Sequence, residues 1–341
     1  MSTPPTALVS GGTGFIGSHV AAALLQSGYH VRTVGRRPAE DARPAGMDHW
    51  QVDVASTELL DQVVGDVDVV IHTAGAATTK AGPQEMEEVN VGGTARLAEA
   101  AVAAGARRFV YVSTSSVYGT KVRLPQPVTE DITCHPSPGY GETKLRAEQA
   151  VRQAGDKGLE TAILRPTNVF GPGAIKLVAS TILDAAIERY AGLATFEVPR
   201  EPVELRMVHI DDVVDACLHV AESPHAAAGV FNLASGVYPS SHEIAQAVAD
   251  EIGLELALSD AAEPGLSFER RQEVRAAMLA EGMRDKIVLS EQRLRVLRKA
   301  NPNNRLSLQA LADTGFQPRV TDMTKAVREL VRWYRLHGWI L

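Results

Sequence analysis

Three observations predict that this chain is α/β, a doubly wound parallel sheet with a smaller C-terminal lobe. Short strand candidates alternate with helix-prone runs through the first half, joined by short links. One of them, Asp68 to Gly75, reads as a continuous apolar run, the pattern of a strand covered on both faces by helices. A glycine-rich turn, Gly11 to Gly17, joins the first strand to the first helix.

Composition narrows the class. With 341 residues, 45% of them hydrophobic, the chain can bury a large core and exceeds the usual size of one domain. We expect a Rossmann-type unit from residues 1–170, completed by a return segment 204–234, and a substrate-binding lobe from 171–203 and 235–341. A formal charge of -7 argues against a nucleic-acid partner, which calls for a basic face. No apolar run approaches the roughly 18 residues that span a bilayer, and Met1 to Thr6 lacks the parts of a signal peptide, so a cytoplasmic location is expected. The two cysteines, Cys134 and Cys217, and the ten histidines show no zinc-ligand spacing, so no metal is expected.

Taken in order, the first strand candidate is Ala7-Leu8-Val9-Ser10, and a helical run follows from Ser18 to Gln26. Between them, glycines 12, 14 and 17 satisfy GxGxxG, and Gly11, Gly14 and Gly17 satisfy GxxGxxG. Such a turn brings backbone close to a pyrophosphate, with the free N–H groups of Phe15, Ile16 and Gly17 at the positive end of the helix dipole. The second strand, Tyr29 to Val34, ends in Gly35-Arg36-Arg37. An acid there would bond a ribose 2′-hydroxyl and select NAD; two guanidinium forks instead favour the 2′-phosphate of NADP, with NAD still possible.

Trp50 to Val54 reads as a third strand, ending in Asp53 and Val54 where an adenine would lie. The fourth ends in Thr73-Ala74-Gly75, small residues that let backbone approach a cofactor. Asn90 to Thr94 opens the next helix, and Arg108 to Val112 forms the next strand. After a Pro-rich segment, Tyr140 and Lys144 open a further helical run, one turn apart on the same face, which sets an ammonium beside a phenol. A nearby cation favours the anionic form of tyrosine and equips it for proton transfer.

The segment Ser113 to Gly119 followed by Tyr140-x-x-x-Lys144 resembles the extended short-chain dehydrogenase/reductase superfamily, the NAD(P)-dependent epimerase/dehydratase group. The likeness extends to Asn90-Val91-x-Gly93-Thr94, to Leu164-Arg165-Pro166-Thr167-Asn168-Val169-Phe170-Gly171-Pro172, and to Val208-His209-Ile210-Asp211-Asp212. It implies that Thr114 holds a substrate oxygen, Tyr140 moves the proton, and Lys144 binds the nicotinamide ribose while lowering the tyrosine pKa. It also implies cofactor contacts at Asn90 and Pro166 and a homodimer through helices flanking Asn90 and Tyr140. Ser115, Asn168 and Arg206 are the candidate substrate contacts; His209 and Asn168 are not read as proton carriers.

Departures from the family pattern narrow the reaction. Ser115 and Ser116 stand where dehydratases carry an acid, and Leu205 stands where nucleotide-sugar epimerases carry a diphosphate arginine, with Arg206 or Arg305 as substitutes. The expected activity is interconversion of a secondary alcohol and a ketone on a small molecule. A nucleotide-sugar epimerase is the rival enzyme, and a non-catalytic dinucleotide-binding redox sensor the rival of another class. Ser267 to Gly282 reads as a charged helix whose arginines suit an anionic substrate group, among other roles; the aromatic residues of the tail, Trp333, Tyr334 and Trp339, read as packing.

Overall fold

A computed structural model describes residues 3–38, 46–56, 59–77, 81–119, 121–261, 264–294, 297 and 305–341. The chain divides into two compact units. The first comprises Met1–Thr167, Asp211–Ala234 and Asn304–Gln317.

This first unit alternates strand and helix: β1 (Thr6–Ser10), α1 (Phe15–Gln26), β2 (His30–Gly35), β3 (Asp48–Gln51), α2 (Leu60–Val64), β4 (Val69–His72), α3 (Pro83–Met86), α4 (Thr94–Ala104), β5 (Arg108–Val112), α5 (Tyr140–Gly155) and β6 (Glu160–Pro166). The last strand is β10 (Gly229–Leu233), reached through a helix, α7 (Ile210–Glu222).

Among the described residues, seven strands pair in the order β3-β2-β1-β4-β5-β6-β10, all parallel. The order reverses between β1 and β4, so a crevice opens at the carboxyl ends of those two strands. Leu8, Val70, Phe109 and Ile163 are buried on the sheet, which explains why these strands are apolar throughout.

Two local differences from the sequence expectation have physical causes. Strand β3 stops at Gln51, because Asp53 bends the chain by accepting a bond from the Ala55 N–H at 2.9 Å. Asn90 does not start a helix. It lies inside a π-helical turn, Glu87–Gly93, that runs unbroken from α3 into α4, and its carboxamide bonds elsewhere.

The second unit comprises Asn168–Ile210, Ser235–Asn303 and Pro318–Leu341. It contains β7 (Asn168–Phe170), α6 (Val178–Tyr190), β8 (Thr195–Pro199), β9 (Met207–His209), α8 (Ser241–Ile252), β11 (Glu255–Ser259), α9 (Phe268–Ala280) and α11 (Met323–Leu336); α10 (Gln309–Ala312) lies in the first unit. Residues 204–210 do not rejoin the large sheet, contrary to the expectation of a return segment. Met207–His209 pairs in parallel with Asn168–Phe170 in a small sheet of its own. Conversely, 304–317 falls with the first unit, where Leu306 bridges Val128.

Helix α8 begins with a capping box, Ser240 bonding the Glu243 N–H while Glu243 reaches back to the Ser240 N–H. Helix α11 presents Val327, Leu330, Val331 and Tyr334 to the core, while Arg328 and Arg332 on its wet face pair with Asp250 and Glu251 of α8. Tyr334 and Trp339 stack, and Trp333 meets both edge-on, as packing.

The charged helix α9 has its arginines committed within the unit. Arg271 is wholly buried and donates to Asp184 at 2.8 Å and to the Ser290 and Glu291 carbonyls; Arg270 pairs with Glu273, and Arg275 with Asp285. Arg293 forms a second buried pair with Glu188, at 2.6 and 2.8 Å. Burial pushes the Asp184 carboxyl up to about 6, with Arg271 and Arg293 pulling the other way. Binding an anionic substrate group through Arg271 would take from Asp184 its paired guanidinium, so Arg271 serves the fold of this unit instead.

Candidate active site

The glycine turn sits at the reversal point of the large sheet. Gly11 follows β1 with φ +71°, a left-handed conformation, and a Cβ there would stand 2.8 Å from the Ala74 nitrogen. A Cβ on Gly17 would overlap the Gly11 carbonyl, so α1 seats against the turn only without a side chain. The glycines under steric constraint at this turn include 11 and 17, the ends of the GxxGxxG reading. Gly14 caps α1 without a side-chain bond, so the first turn, at Phe15, Ile16 and Gly17, keeps its backbone N–H groups.

At the end of β2 the two arginines differ. Arg37 donates to the Thr13 carbonyl, which places its guanidinium on the rim of the glycine turn. Arg36 reaches Glu85 at 2.9 Å, an exposed pair of the kind worth at most about 1 kcal/mol. Across the turn, Asp53 is half-buried and Val54 packs against Gly93.

The end of β4 is tied to β1. Thr73 donates to the Ser10 carbonyl at 2.7 Å, and the Ala74 N–H to the Ser10 hydroxyl at 3.3 Å. Gly75 is exposed, and a Cβ there would lie 3.3 Å from the Asn90 carboxamide oxygen and 3.9 Å from the Lys144 Nζ. Asn90, a cofactor contact by the family resemblance, is engaged otherwise. Its amide donates to the Ala76 carbonyl (2.9 Å) and to Thr143 (3.0 Å), while its oxygen accepts from the Ala76 N–H (2.7 Å). It therefore fastens the β4 loop to α5.

The structure brings Thr114, Tyr140 and Lys144 to the same end of the sheet. Thr114 leaves β5 in extended conformation and caps a 3-10 turn, Ser115–Tyr118; its oxygen accepts from the Ser116 N–H, and its hydroxyl meets the Ser116 hydroxyl, both at 3.2 Å. Tyr140 and Lys144 stand in the first turn and a half of α5. The Lys144 ammonium is buried and donates to the Val112 carbonyl at 2.7 Å.

The electrostatics differ from the expectation that Lys144 lowers the tyrosine pKa. Burial pushes the Tyr140 phenol up to about 12, although the residue keeps part of its surface exposed. Burial also depresses Lys144 to about 7, opposed by the charge of Glu148. In this structure desolvation is the leading cause for both groups and favours the neutral form of each.

Sequence reasoning missed the polar network beneath these residues. Glu148, one turn beyond Lys144, accepts from Ser113 (2.6 Å) and from two nitrogens of Arg165 (3.0 and 2.6 Å). Arg165 continues to the Tyr118 hydroxyl (2.8 Å), which donates to Asn232 (2.7 Å). The bond and charge of Glu148 outweigh the cost of burial and hold Arg165 above its ordinary range. The signal was an arginine inside an apolar strand, Ala162-Ile163-Leu164-Arg165, and a glutamate four residues past Lys144 on the inner face of a helix.

His72 was also missed. It joins the Ser10 hydroxyl to the Thr94 hydroxyl (2.8 Å), and burial, then Lys144, depress it to about 3, so it is a neutral bridge.

The remaining candidates are spread over both units. Pro166 ends β6, paired with Leu233. Ser115 is half-buried in the turn after Thr114. In the second unit, Asn168 is exposed at the start of β7, while Arg206 is half-buried and its pKa lowered by that burial. Leu205 is buried. Among the described residues no cluster of three or more His, Cys, Asp or Glu is placed to hold a metal ion, and no helix is long and apolar enough to cross a membrane.

The features suited to a dinucleotide are a glycine turn that is half-buried apart from the buried Gly12 and Gly17, a helix end without a side-chain cap, and the exposed Gly75 near Lys144. Comparison with known proteins agrees. The model of the NAD dependent epimerase/dehydratase family matches residues 7–234. UDP-glucose 4-epimerase of Azospirillum brasilense is 34% identical over 250 residues, 66% of this chain and 70% of that protein. The 3 beta-hydroxysteroid dehydrogenase/Delta 5-->4-isomerase of Mycobacterium tuberculosis is 34% identical over 175 residues, 49% of this chain and 47% of that one. The chain thus spans about half the length of the dehydrogenase it matches. Among solved structures, MoeE5 in complex with UDP-glucose and NAD superposes with a TM-score of 0.71 at 27% identity, over 97% of this chain and 99% of that one.

Proposed function

The chain belongs to the NAD dependent epimerase/dehydratase family, and from that premise we propose that it is an NADP-preferring oxidoreductase interconverting a secondary alcohol and a ketone on a small molecule. The observation that carries this reading is the placing of Lys144: buried, anchored to the β5 carbonyl of Val112, one helical turn from Tyr140, and near the exposed Gly75. Thr114 follows β5 and Tyr140 opens the helix that carries Lys144, at the same end of the sheet as the glycine turn.

Gly11 to Gly17 would hold the pyrophosphate, Asp53 and Val54 the adenine end, Thr73 to Gly75 and Pro166 the remainder, with Lys144 on the nicotinamide ribose. When bound, the nicotinamide exchanges a hydride with the substrate carbon. Thr114 orients the substrate oxygen; Tyr140 gives or takes its proton; Asn90 keeps the β4 loop and α5 in register. Because burial holds the Tyr140 phenol near 12, it is better suited to donate a proton to a nascent alkoxide than to act unaided as a base at neutral pH.

NADP preference rests on Gly35, where an acid would select NAD, and on Arg37 at the rim of the glycine turn. Arg36 joins only by releasing Glu85, a small cost. Equal dissociation constants for NADPH and NADH would end the preference. Ser115, Asn168 and Arg206 remain the proposed substrate contacts.

A second reading, nucleotide-sugar epimerase, is favoured by the relative from Azospirillum and by the ligands of MoeE5. The buried Leu205, in the place expected of a diphosphate arginine, weighs against it. Cofactor absorbance during turnover separates them: a reductase consumes reduced cofactor one for one with product, whereas an epimerase leaves it unchanged. We also propose a cytoplasmic homodimer formed through α4 and α5, to be tested by sedimentation equilibrium.

A further inference from the structure

Lys144 has two close partners, and only one is a hydrogen-bond acceptor. Its ammonium donates to the Val112 carbonyl and stands 4.2 Å from the centroid of the Tyr111 ring. Tyr111 is wholly buried near the carboxyl end of β5, one residue before Val112. Its hydroxyl faces Thr94 without a well-formed bond and has no partner among the described residues, so the side chain meets its surroundings chiefly through its ring.

The charged and titratable groups around the ammonium can be named. Glu148 lies one turn along α5, but its two oxygens are already shared with Ser113 and Arg165. His72 faces from β4, stacked on Tyr111 with centroids 5.4 Å apart, and stays neutral between Ser10 and Thr94. Tyr140 is on the same helix face, and burial keeps its phenol protonated. A desolvated ammonium is disfavoured unless something replaces its water, and the electron-rich face of an aromatic ring does so. Tyr111 is the ring in that place.

We propose that Tyr111 is a positioning residue, its ring face and the Val112 carbonyl together holding the Lys144 ammonium charged and in place beside Gly75. The role deepens the oxidoreductase reading, on which its use in catalysis rests. The effect of the ring on Lys144 is nevertheless a property of the chain alone and can be read without substrate.

The test observes the Lys144 side chain directly. Protein carrying 13Cε-lysine is titrated by NMR, with the Lys144 resonance assigned by its loss in Lys144→Met. Tyr111→Phe, which keeps the ring and discards only the unpartnered hydroxyl, titrates as the wild type. Tyr111→Leu, which removes the ring, lowers the Lys144 midpoint by about one pH unit. Because leucine also leaves space in the core, residue 111 is further replaced by phenylalanine and by 3,4,5-trifluorophenylalanine, which drains the ring face at nearly constant shape; the fluorinated ring lowers the midpoint in the same direction.

If the midpoint is unmoved by fluorination, or moves as far in Tyr111→Phe as in Tyr111→Leu, the proposal is overturned. In turnover, the alkaline limb of kcat/KM shifts down with the NMR midpoint in Tyr111→Leu and not in Tyr111→Phe. A protein with no redox turnover but a ring-dependent Lys144 midpoint would refute the oxidoreductase reading and leave the ring's effect standing.

Discussion

Both units of this molecule bury carboxylate–guanidinium pairs, and the two sets hold different things. In the first unit, Glu148 and Arg165 form one pair that reaches Ser113 beside Thr114 and lies one helical turn from Lys144. In the second, Asp184–Arg271 and Glu188–Arg293 end on the backbone carbonyls of Ser290, Glu291 and Glu197. Such pairs are poor sources of net stability, because desolvating two ions cancels most of their attraction. Their position therefore shows what must keep one geometry: the strand end and helix that carry Thr114, Tyr140 and Lys144 in one unit, the segment that contains α9 in the other.

The sharpest way to break that contrast acts on the proposed proton carrier, Tyr140. Tyr140→Phe removes the phenolic proton while keeping the ring, and we expect turnover to fall by about 10³-fold or more with cofactor affinity nearly unchanged. Steady-state rates together with a fluorescence titration of NADPH measure both. Retained turnover would take Tyr140 out of the mechanism and remove the reason for reading the first unit's ion pair as support for a site.

Next in size are the pairs. Arg165→Met and Arg293→Met each leave a buried carboxylate alone, and each is expected to lose about 3–5 kcal/mol in urea unfolding. The two variants should differ in activity rather than in stability. At a temperature where both are fully folded, only Arg165→Met should lower kcat, since Glu148 then turns towards Ser113 and Lys144. An equal fall in Arg293→Met would mean that the second unit's charges also set catalytic geometry. Replacing both partners, Glu148→Leu with Arg165→Met, should recover most of the lost stability but not the activity.

Lys144 itself tests the cost of burying a charge for use. Its folded-state pKa, about 7, lies below the ordinary lysine value of 10.5. Well below pH 7 the lysine is charged in both states and the full desolvation penalty acts on the fold. Between pH 7 and 10.5 the unfolded chain holds the extra proton, so this group's contribution to stability rises with pH. Lys144→Met should therefore unfold later than the wild type at pH 6 to 7, by on the order of a few kcal/mol, with the gain shrinking towards pH 10. Activity should be lost throughout, a stability gained at the expense of function. Melting curves at three pH values suffice.

Much of the first unit was legible in sequence because its signals are local. A strand, a glycine turn and a helix are contiguous, and Tyr140 and Lys144 are one turn apart, so spacing alone puts them on one face. Arg165, Glu148 and Asn232 were not legible as a network, since their pairing depends on which strands lie side by side. Asn90, a cofactor contact implied by the family resemblance, has its amide engaged with Ala76 and Thr143, which a sequence does not reveal. The arginines of α9 were ambiguous for the same reason, because helical periodicity gives a face and not the carboxylates opposite it. The pKa order of Tyr140 and Lys144 also escaped, since proximity is visible in a sequence and burial is not.

The smallest expected effect concerns cofactor choice, where the two adjacent arginines form a comparison within the first unit. Arg37 is already on the rim of the glycine turn through the Thr13 carbonyl, whereas Arg36 is turned towards Glu85. A guanidinium in place gives up little on meeting a 2′-phosphate; one engaged elsewhere must first exchange partners, although an exposed pair resists only weakly. Arg37→Ser should then weaken NADPH by roughly tenfold, about 1.4 kcal/mol, and Arg36→Ser by less, with NADH unaffected in both. Glu85→Gln frees Arg36 without adding a positive charge, so it should tighten NADPH slightly and restore part of what Arg37→Ser loses. If Arg36→Ser is the more damaging change, the fork that reads the phosphate is the one now paired with Glu85, and that pair is the contact a 2′-phosphate must displace.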